Sequence, residues 1–302
     1  MSSSASDVNF IAEVSANHLG SLARAKNIVI AAAQAGANSV KFQTYRADTM
    51  TLDLELPDFK VSDQHKLWGG RTLYSLYQEA CTPWEWHKEL FDLCRELGVV
   101  PFSSPFDLSA VELLESLNAP MYKIASLETG DHQLIRMVAE TGKPLIISTG
   151  ATEWNEIEDL VAVVEKTGNK DLTLLVCTSS YPSDPVDSHL LRIETLRSNF
   201  GVKVGLSDHT LGIGVSIAAI ALGASAIEKH LTLQRADGGA DGAFSMEPSE
   251  FAMLVKEGRS AALSLGNSDW SMQHSEKESR RLRRSLYIVS DVVAGDEVTQ
   301  DN

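Results

Sequence analysis

The feature that most constrains this chain is an alternation. Eight short apolar runs recur along it, at 10–15, 39–43, 99–104, 121–126, 144–150, 172–178, 202–208 and 225–230, and an amphipathic segment follows each. The runs are rich in Val and Ile and bounded by Gly, Pro or Asn, as strands covered on both faces should be. The first amphipathic segment, LARAKNIVIAAAQAG, aligns Leu22, Ala25, Val29, Ala32 and Ala33, with Ser21 placed to cap its start and Gly36 to end it. In PWEWHKELFDLCRELG, Pro83 falls near a first turn, and Leu90, Leu93, Cys94 and Leu97 share a face. Eight strand–helix units predict an α/β fold with a parallel sheet, and over ~250 residues the closed (β/α)8 TIM barrel is its natural architecture. The alternative, an open doubly wound sheet, is disfavoured because no glycine-rich dinucleotide fingerprint follows the first strand.

Two segments stand outside the alternation. Residues 46–82 are expected to form a long second βα loop, of the kind that builds a lid or a pocket wall. The barrel is expected over residues 1–266. Residues 267–302, with the charged run ESRRLRRS and the apolar SLYIVSDVVAGDEV, are expected to be a C-terminal linker segment. The composition, 43% hydrophobic and 22% charged, is that of a soluble globular protein. No apolar run approaches the ~18 residues of a membrane helix, and MSSSASDVN lacks the basic start and apolar core of a signal peptide. Cys81, Cys94 and Cys177 have no paired spacing, which points to a reducing cytoplasm. With 26 Lys+Arg against 41 Asp+Glu the net charge is −15, which argues against nucleic acid or an anionic membrane as partner. An anionic ligand would have to be drawn by a few well-placed lysines.

In a (β/α)8 barrel the chemistry sits at the C-terminal ends of the strands. Here every strand end is polar: Glu13, Asn17 and His18 after the first, Lys41 and Gln43 at the second, Ser103 and Ser104 at the third. Lys123, Ser126 and Glu128 follow at the fourth, Ser148 and Thr149 at the fifth, and Thr178, Ser179 and Tyr181 at the sixth. Ser207, Asp208 and His209 end the seventh, and Glu228, Lys229 and His230 the eighth. A lysine inside SVKFQ or MYKIAS is costly unless it meets a partner or ligand. His209 and His230 end neighbouring strands, so the two imidazoles can hold one divalent metal and leave positions for water and substrate. Either histidine alone reads as well as a hydrogen-bonded core residue. Asp208 or Glu228 could orient them. Lys41 and Lys123, with Ser104, Ser126, Ser148 and Ser207, make a phosphate and carboxylate cradle, or else core salt bridges. Glu13 is a proton-transfer candidate, a partner for Lys41, or both. Trp84 and Trp86 read as helix packing.

The stretches AEVSANHLG, VKFQTYRADTMT, EACTPWEWHKELF, FSSPFD, YKIASLE, LIISTGA, CTSSYP, VGLSDHTLG, IEKHLTL, RADGGADGAFSMEP and RRSLYIV together resemble the sialic acid (nonulosonic acid) synthases over nearly the whole chain. SANH and TPWEW favour the pseudaminic acid branch over the N-acetylneuraminate branch, where the first stretch reads closer to INHNG. The resemblance implies a cytoplasmic, homodimeric enzyme that condenses phosphoenolpyruvate with an N-acetylated amino sugar. It implies Mn2+ or Mg2+ on His209 and His230, and phosphoenolpyruvate on Lys41, Ser104, Lys123, Ser126, Ser148 and Ser207. It places Glu13 and Glu128 at the reacting centre and Asn17, Tyr181 and Asp241 at the sugar. It also leads one to expect a small antifreeze-like (SAF) domain after residues 267–302, where this sequence stops. A barrel that had lost its cap and its catalysis is the competing expectation; intact His209, His230, Glu13 and Lys41 argue against it.

Overall fold

The computed structural model describes residues 8–63 and 67–302. The strands are β1 Asn9–Glu13, β2 Ser39–Thr44, β3 Val100–Pro105, β4 Tyr122–Ile124, β5 Leu145–Ser148, β6 Leu172–Cys177, β7 Lys203–Ser207 and β8 Ala226–His230. They pair in chain order, all parallel, and β8 closes on β1, so the architecture is the expected closed barrel. The helices are α1 Leu22–Gln34, α2 Ala47–Met50, α3 Leu73–Ala80, α4 His87–Glu96, α5 Leu108–Ser116, α6 His132–Glu140, α7 Trp154–Thr167, α8 Arg192–Phe200, α9 Gly214–Ala221, α10 Pro248–Ser264 and α11 Lys277–Arg281. Ser21 does cap α1, its hydroxyl accepting from Arg24 N, and Gly36 follows the helix at φ +88°. In α4 the buried face is Leu90, Phe91 and Cys94, while Leu97 is exposed.

Strand alternation sorts the barrel into two rows. Outward residues such as Phe10, Phe42, Tyr122, Ile147, Leu174 and Ile227 pack against the helices in the main core. Inside, Ile11, Phe102, Ile146, Leu175 and Ala226 form a separate apolar plug. Gly205 belongs to this inner row, where a Cβ would lie 2.4 Å from Ala226 O. Above the plug, toward the strand C-termini, the inner row turns polar.

The described residues of segment 46–82 are not structureless, because they fold α2, a 3-10 turn at Pro57–Phe59, and α3. Several ladders stop one or two residues short of the apolar runs, and at Ser15–His18 and Ser126–Glu128 the chain turns into 3-10 helix. The polar residues at those points therefore sit on turns. Gly266–Asn302 forms a second compact unit, with α11 as its α-helix and Leu286, Tyr287 and Val289 exposed. The three cysteines are free thiols. Among the described residues no helix is long and apolar enough to cross a membrane.

Candidate active site

At the C-terminal end of the barrel the strand ends and segment 46–82 enclose a cavity of about 440 Å3. Its floor is an alternating array of buried charges. Lys41 Nζ lies 2.8 Å from Glu13 Oε2 and 3.7 Å from Glu228 Oε1, and Lys123 Nζ lies 3.3 Å from the same Glu228 atom. Ser207 Oγ donates to Glu228 Oε1 at 3.2 Å, and Gln43 Nε2 donates to Glu13 Oε1 at 2.9 Å. All four charged side chains are at most 5% exposed. Burial works against every one of these ions, and their mutual attraction answers it unevenly. The Glu228 carboxyl is held below its ordinary range and the Lys41 ammonium above, whereas burial leaves Glu13 raised and Lys123 lowered.

Around this floor stand the hydroxyls. Gly150 N donates to Ser126 Oγ at 3.1 Å, and Ser148 Oγ is buried without a hydrogen-bond partner. A Cβ on Gly150 would fall 2.4 Å from Ser179 Oγ and 2.9 Å from Ser126 Oγ, so only glycine leaves this corner open. Glu128 also lines the wall. Burial raises its carboxyl to about 7, its own backbone N–H and Lys123 offsetting only part of the cost. His209 and His230 stand side by side, ring centroids 5.4 Å apart, with Tyr181 4.4 Å from His209. Asp241 comes in from the loop after β8 and accepts from Ala16 N at 3.2 Å. Met50, Val61, Trp68, Leu76 and Tyr77 supply an apolar wall opposite, pinned by Trp68 Nε1 donating to Ala240 O at 3.0 Å.

The NeuB family profile matches residues 28–269. The chain is 44% identical over 293 residues to the pseudaminic acid synthase of Helicobacter pylori, covering 97% of this chain and 86% of that one. It is 34% identical over 296 residues to the N,N'-diacetyllegionaminic acid synthase of Campylobacter jejuni, covering 97% and 88%. Among solved structures, the N-acetylneuraminic acid synthetase of Leptospira borgpetersenii, crystallised with citrate, superposes with a TM-score of 0.81 at 32% identity, over 93% of each chain. The chain belongs to the NeuB family.

Most of the residues expected at the site of this NeuB-family barrel line its cavity: Lys41, Lys123, Ser126, Glu128, Ser148, Tyr181, Ser207, Asp241, His209 and His230. Three stand back from the wall. Glu13 lies under Lys41, and Ser104 Oγ is 3.5 Å from Lys41 Nζ. Asn17 is buried just outside the cavity lining. Its amide donates to Leu231 O at 3.0 Å and Ser245 Oγ at 2.8 Å, which ties the β1 exit to the chain after β8. The turn at Ser15, φ +45°, redirects the chain ahead of it. Trp84 and Trp86 do pack: Trp84 Nε1 donates to Tyr45 O, and Trp86 meets His18 edge-on.

Residues with no assigned part in the sequence reading join the site. Gln43 bridges Glu13 and Ser15, and Cys177 Sγ lies 3.9 Å from His209 Nδ1. Glu228, considered above as an orienter of histidine, is instead the carboxylate shared by both lysines. Its inward position follows from sharing strand parity with His230. Within the apolar wall only the α3 face, Leu73, Leu76, Tyr77 and Ala80 at helical spacing, carried a periodic signal.

Among the described residues no three His, Cys, Asp or Glu side chains converge on a cation position. Two imidazoles are too few for a closed structural site, but they suit an open one whose other positions go to water and substrate. The ring hydrogen bonding agrees, although Cys177 and the Thr178 carbonyl raise His209 against burial, so a proton competes with a metal there. His209 Nδ1 lies 3.0 Å from Thr178 O, so in the neutral ring the proton sits there and the lone pair on Nε2. His230 Nδ1 is buried without a hydrogen-bond partner, 4.0 Å from Asp241 Oδ2, and burial with the nearby cations holds this ring neutral.

Proposed function

We propose that this chain condenses phosphoenolpyruvate with the open-chain form of an N-acetylated amino sugar, releasing phosphate and a nine-carbon 2-keto-3-deoxy acid. Within the nonulosonic acid synthases, we assign it to the pseudaminic acid branch. The carrying observation is that one cavity joins two buried lysines and an uncommitted serine hydroxyl to a pair of adjacent imidazoles. That combination suits a small, multiply anionic substrate beside a carbonyl to be polarised. The 44% identity to a pseudaminic acid synthase supports the branch.

In this reading C3 of phosphoenolpyruvate attacks the sugar aldehyde carbon, the aldehyde oxygen takes up a proton, and positive charge develops at C2. Water adds at C2, and the C–O bond to phosphate then breaks to leave the ketone. Lys41 and Lys123 neutralise the phosphate and carboxylate, while Ser126, Ser148 and Ser207 orient them; Ser104 acts through Lys41. Glu128, with its carboxyl near pH 7, is matched to take the proton from the adding water. Glu13 holds Lys41 in place and balances the charge below the reacting carbon. Asp241 and Tyr181 face the sugar, and the Trp68 wall suits its acetamido methyls and a deoxygenated carbon. His209 and His230 would hold Mn2+ or Mg2+, which when bound supplies Lewis-acid polarisation of the aldehyde oxygen. We further propose that the enzyme acts in the cytoplasm as a homodimer.

The test is sugar-dependent phosphate release from phosphoenolpyruvate by metal-replete protein, comparing 6-deoxy-diacetamido-altrose with N-acetylmannosamine. Release with the altrose derivative is expected. Release with N-acetylmannosamine alone would move the chain to the N-acetylneuraminate branch, and no release by folded protein with any amino sugar would overturn the reading.

A further inference from the structure

Ser207 and His209 face the cavity, as do Glu228 and His230. Alternation therefore turns the residues between them, Asp208 and Lys229, outward into the layer between barrel and helices. There the two meet. Lys229 Nζ lies 3.1 Å from Asp208 Oδ2, and both side chains are at most 2% exposed. Asp208 Oδ1 accepts from Thr210 N at 2.8 Å and Thr210 Oγ1 at 2.7 Å, while Oδ2 accepts from Ser216 Oγ of α9. Lys229 Nζ also donates to Thr210 O at 2.6 Å.

The position of this cluster matters more than its energy. The β7–β8 ladder ends at Ser207 and Glu228, with one further backbone bond from Asp208 N to Glu228 O at 2.9 Å. His209 stands just past that last bond, and the ion pair takes up the tie there. It holds both backbone polar groups of Thr210, so anchored residues bracket His209, and Lys229 directly precedes His230. A buried ion pair is a poor source of stability, because desolvation cancels much of its attraction. A fully hydrogen-bonded one is directional, and so can fix spacing.

We infer that Asp208 and Lys229 are positioning residues that set the spacing of His209 and His230 for a shared divalent cation. The inference rests on the metal reading above and adds to it the outer-face pair as the element that holds the two ligands in register.

The experiment is a Mn2+ titration of the full chain by calorimetry and by the paramagnetic resonance of the free ion, with circular dichroism and thermal melting to follow folding. Asp208→Asn/Lys229→Met removes both charges at nearly constant shape and leaves neither unpaired. Ser103→Ala is the control for general loosening, since it removes a bond to Thr44 Oγ1 in the same outer layer at β2–β3. The double variant should fold and bind Mn2+ roughly ten- to a hundredfold more weakly, while Ser103→Ala keeps wild-type affinity. Unchanged affinity in the folded double variant, or equal weakening in Ser103→Ala, overturns the positioning role alone. Absence of stoichiometric Mn2+ binding by the wild type overturns the metal reading, and the positioning role with it. Should the double variant not fold, Ser216→Ala, which deletes a single bond to Asp208, takes its place. A several-fold loss is then expected, and unchanged affinity overturns the role.

Discussion

Replacing Glu128 by Gln should make the protein more stable and less active, and the stability gain should depend on pH. In the unfolded chain this carboxyl ionises at its ordinary 4.5, whereas in the folded protein burial holds it protonated up to about 7. Between those values the native state binds the extra proton, so stability falls as pH rises through the window and levels off above it. At ~1.36 kcal/mol per pH unit, burying Glu128 costs about 3 kcal/mol of stability at pH 8, about 1 at pH 5 and almost nothing at pH 4. Gln has the shape without the charge. Glu128→Gln should therefore raise the urea-unfolding free energy by about 3 kcal/mol at pH 8 and leave it unchanged at pH 4.

The kinetic half of the prediction runs the other way. A proton acceptor must be ionised to work, so wild-type kcat/KM should rise through about pH 7, the value set by burial of this group. The variant should lose that limb, along with roughly two to four orders of magnitude in rate. Equal stability changes at pH 4 and pH 8 would refute the desolvated-carboxyl argument. A gain in stability at pH 8 with the rate and its acid limb intact would show instead that Glu128 is buried but takes no proton.

Other perturbations separate the remaining parts of the site. His209→Ala or His230→Ala should each leave no bound metal after dialysis, read by elemental analysis; stoichiometric retention would refute the ligand assignment. Metal affinity should fall as pH drops, beginning above the ordinary imidazole value, because Cys177 and the Thr178 carbonyl outweigh burial and raise His209; calorimetry across pH 6 to 8 tests this. Lys123→Met strips Glu228 of one of its two cations, so a loss of ~3–5 kcal/mol in stability is expected together with lost phosphoenolpyruvate binding. Gly150→Ala forces a methyl within 2.4 Å of Ser179 Oγ. It should lower kcat/KM for phosphoenolpyruvate by roughly a hundredfold at near-normal stability.

Some of this architecture was legible in the sequence because it rests on conflict between a residue and its immediate surroundings. Lys41 in SVKFQ and Lys123 in MYKIAS are charges in runs that otherwise demand burial, so they had to meet partners or a ligand, and both line the cavity floor. The eight-fold alternation was equally local, since period 2 and period 3.6 are written residue by residue. The pairing of those charges was not legible. That Glu228 serves both lysines depends on closure of β8 onto β1, which no neighbouring residue encodes. The partners of Asn17 were not legible either. It follows a strand end like the others, but the turn at Ser15 carries it off the wall. Asp208 marks the boundary between these cases. Beside Ser207 and His209 in GLSDHT it reads as a residue that could orient the histidines, and parity sends it to the other face of the barrel. Its use is then decided by Lys229, which obeys the same parity one strand over. At β7 and β8 the polar strand ends thus supply one row to the cavity and another to the layer between barrel and helices. Charge does not by itself mark a strand-end residue as facing the cavity; strand parity decides which row it joins.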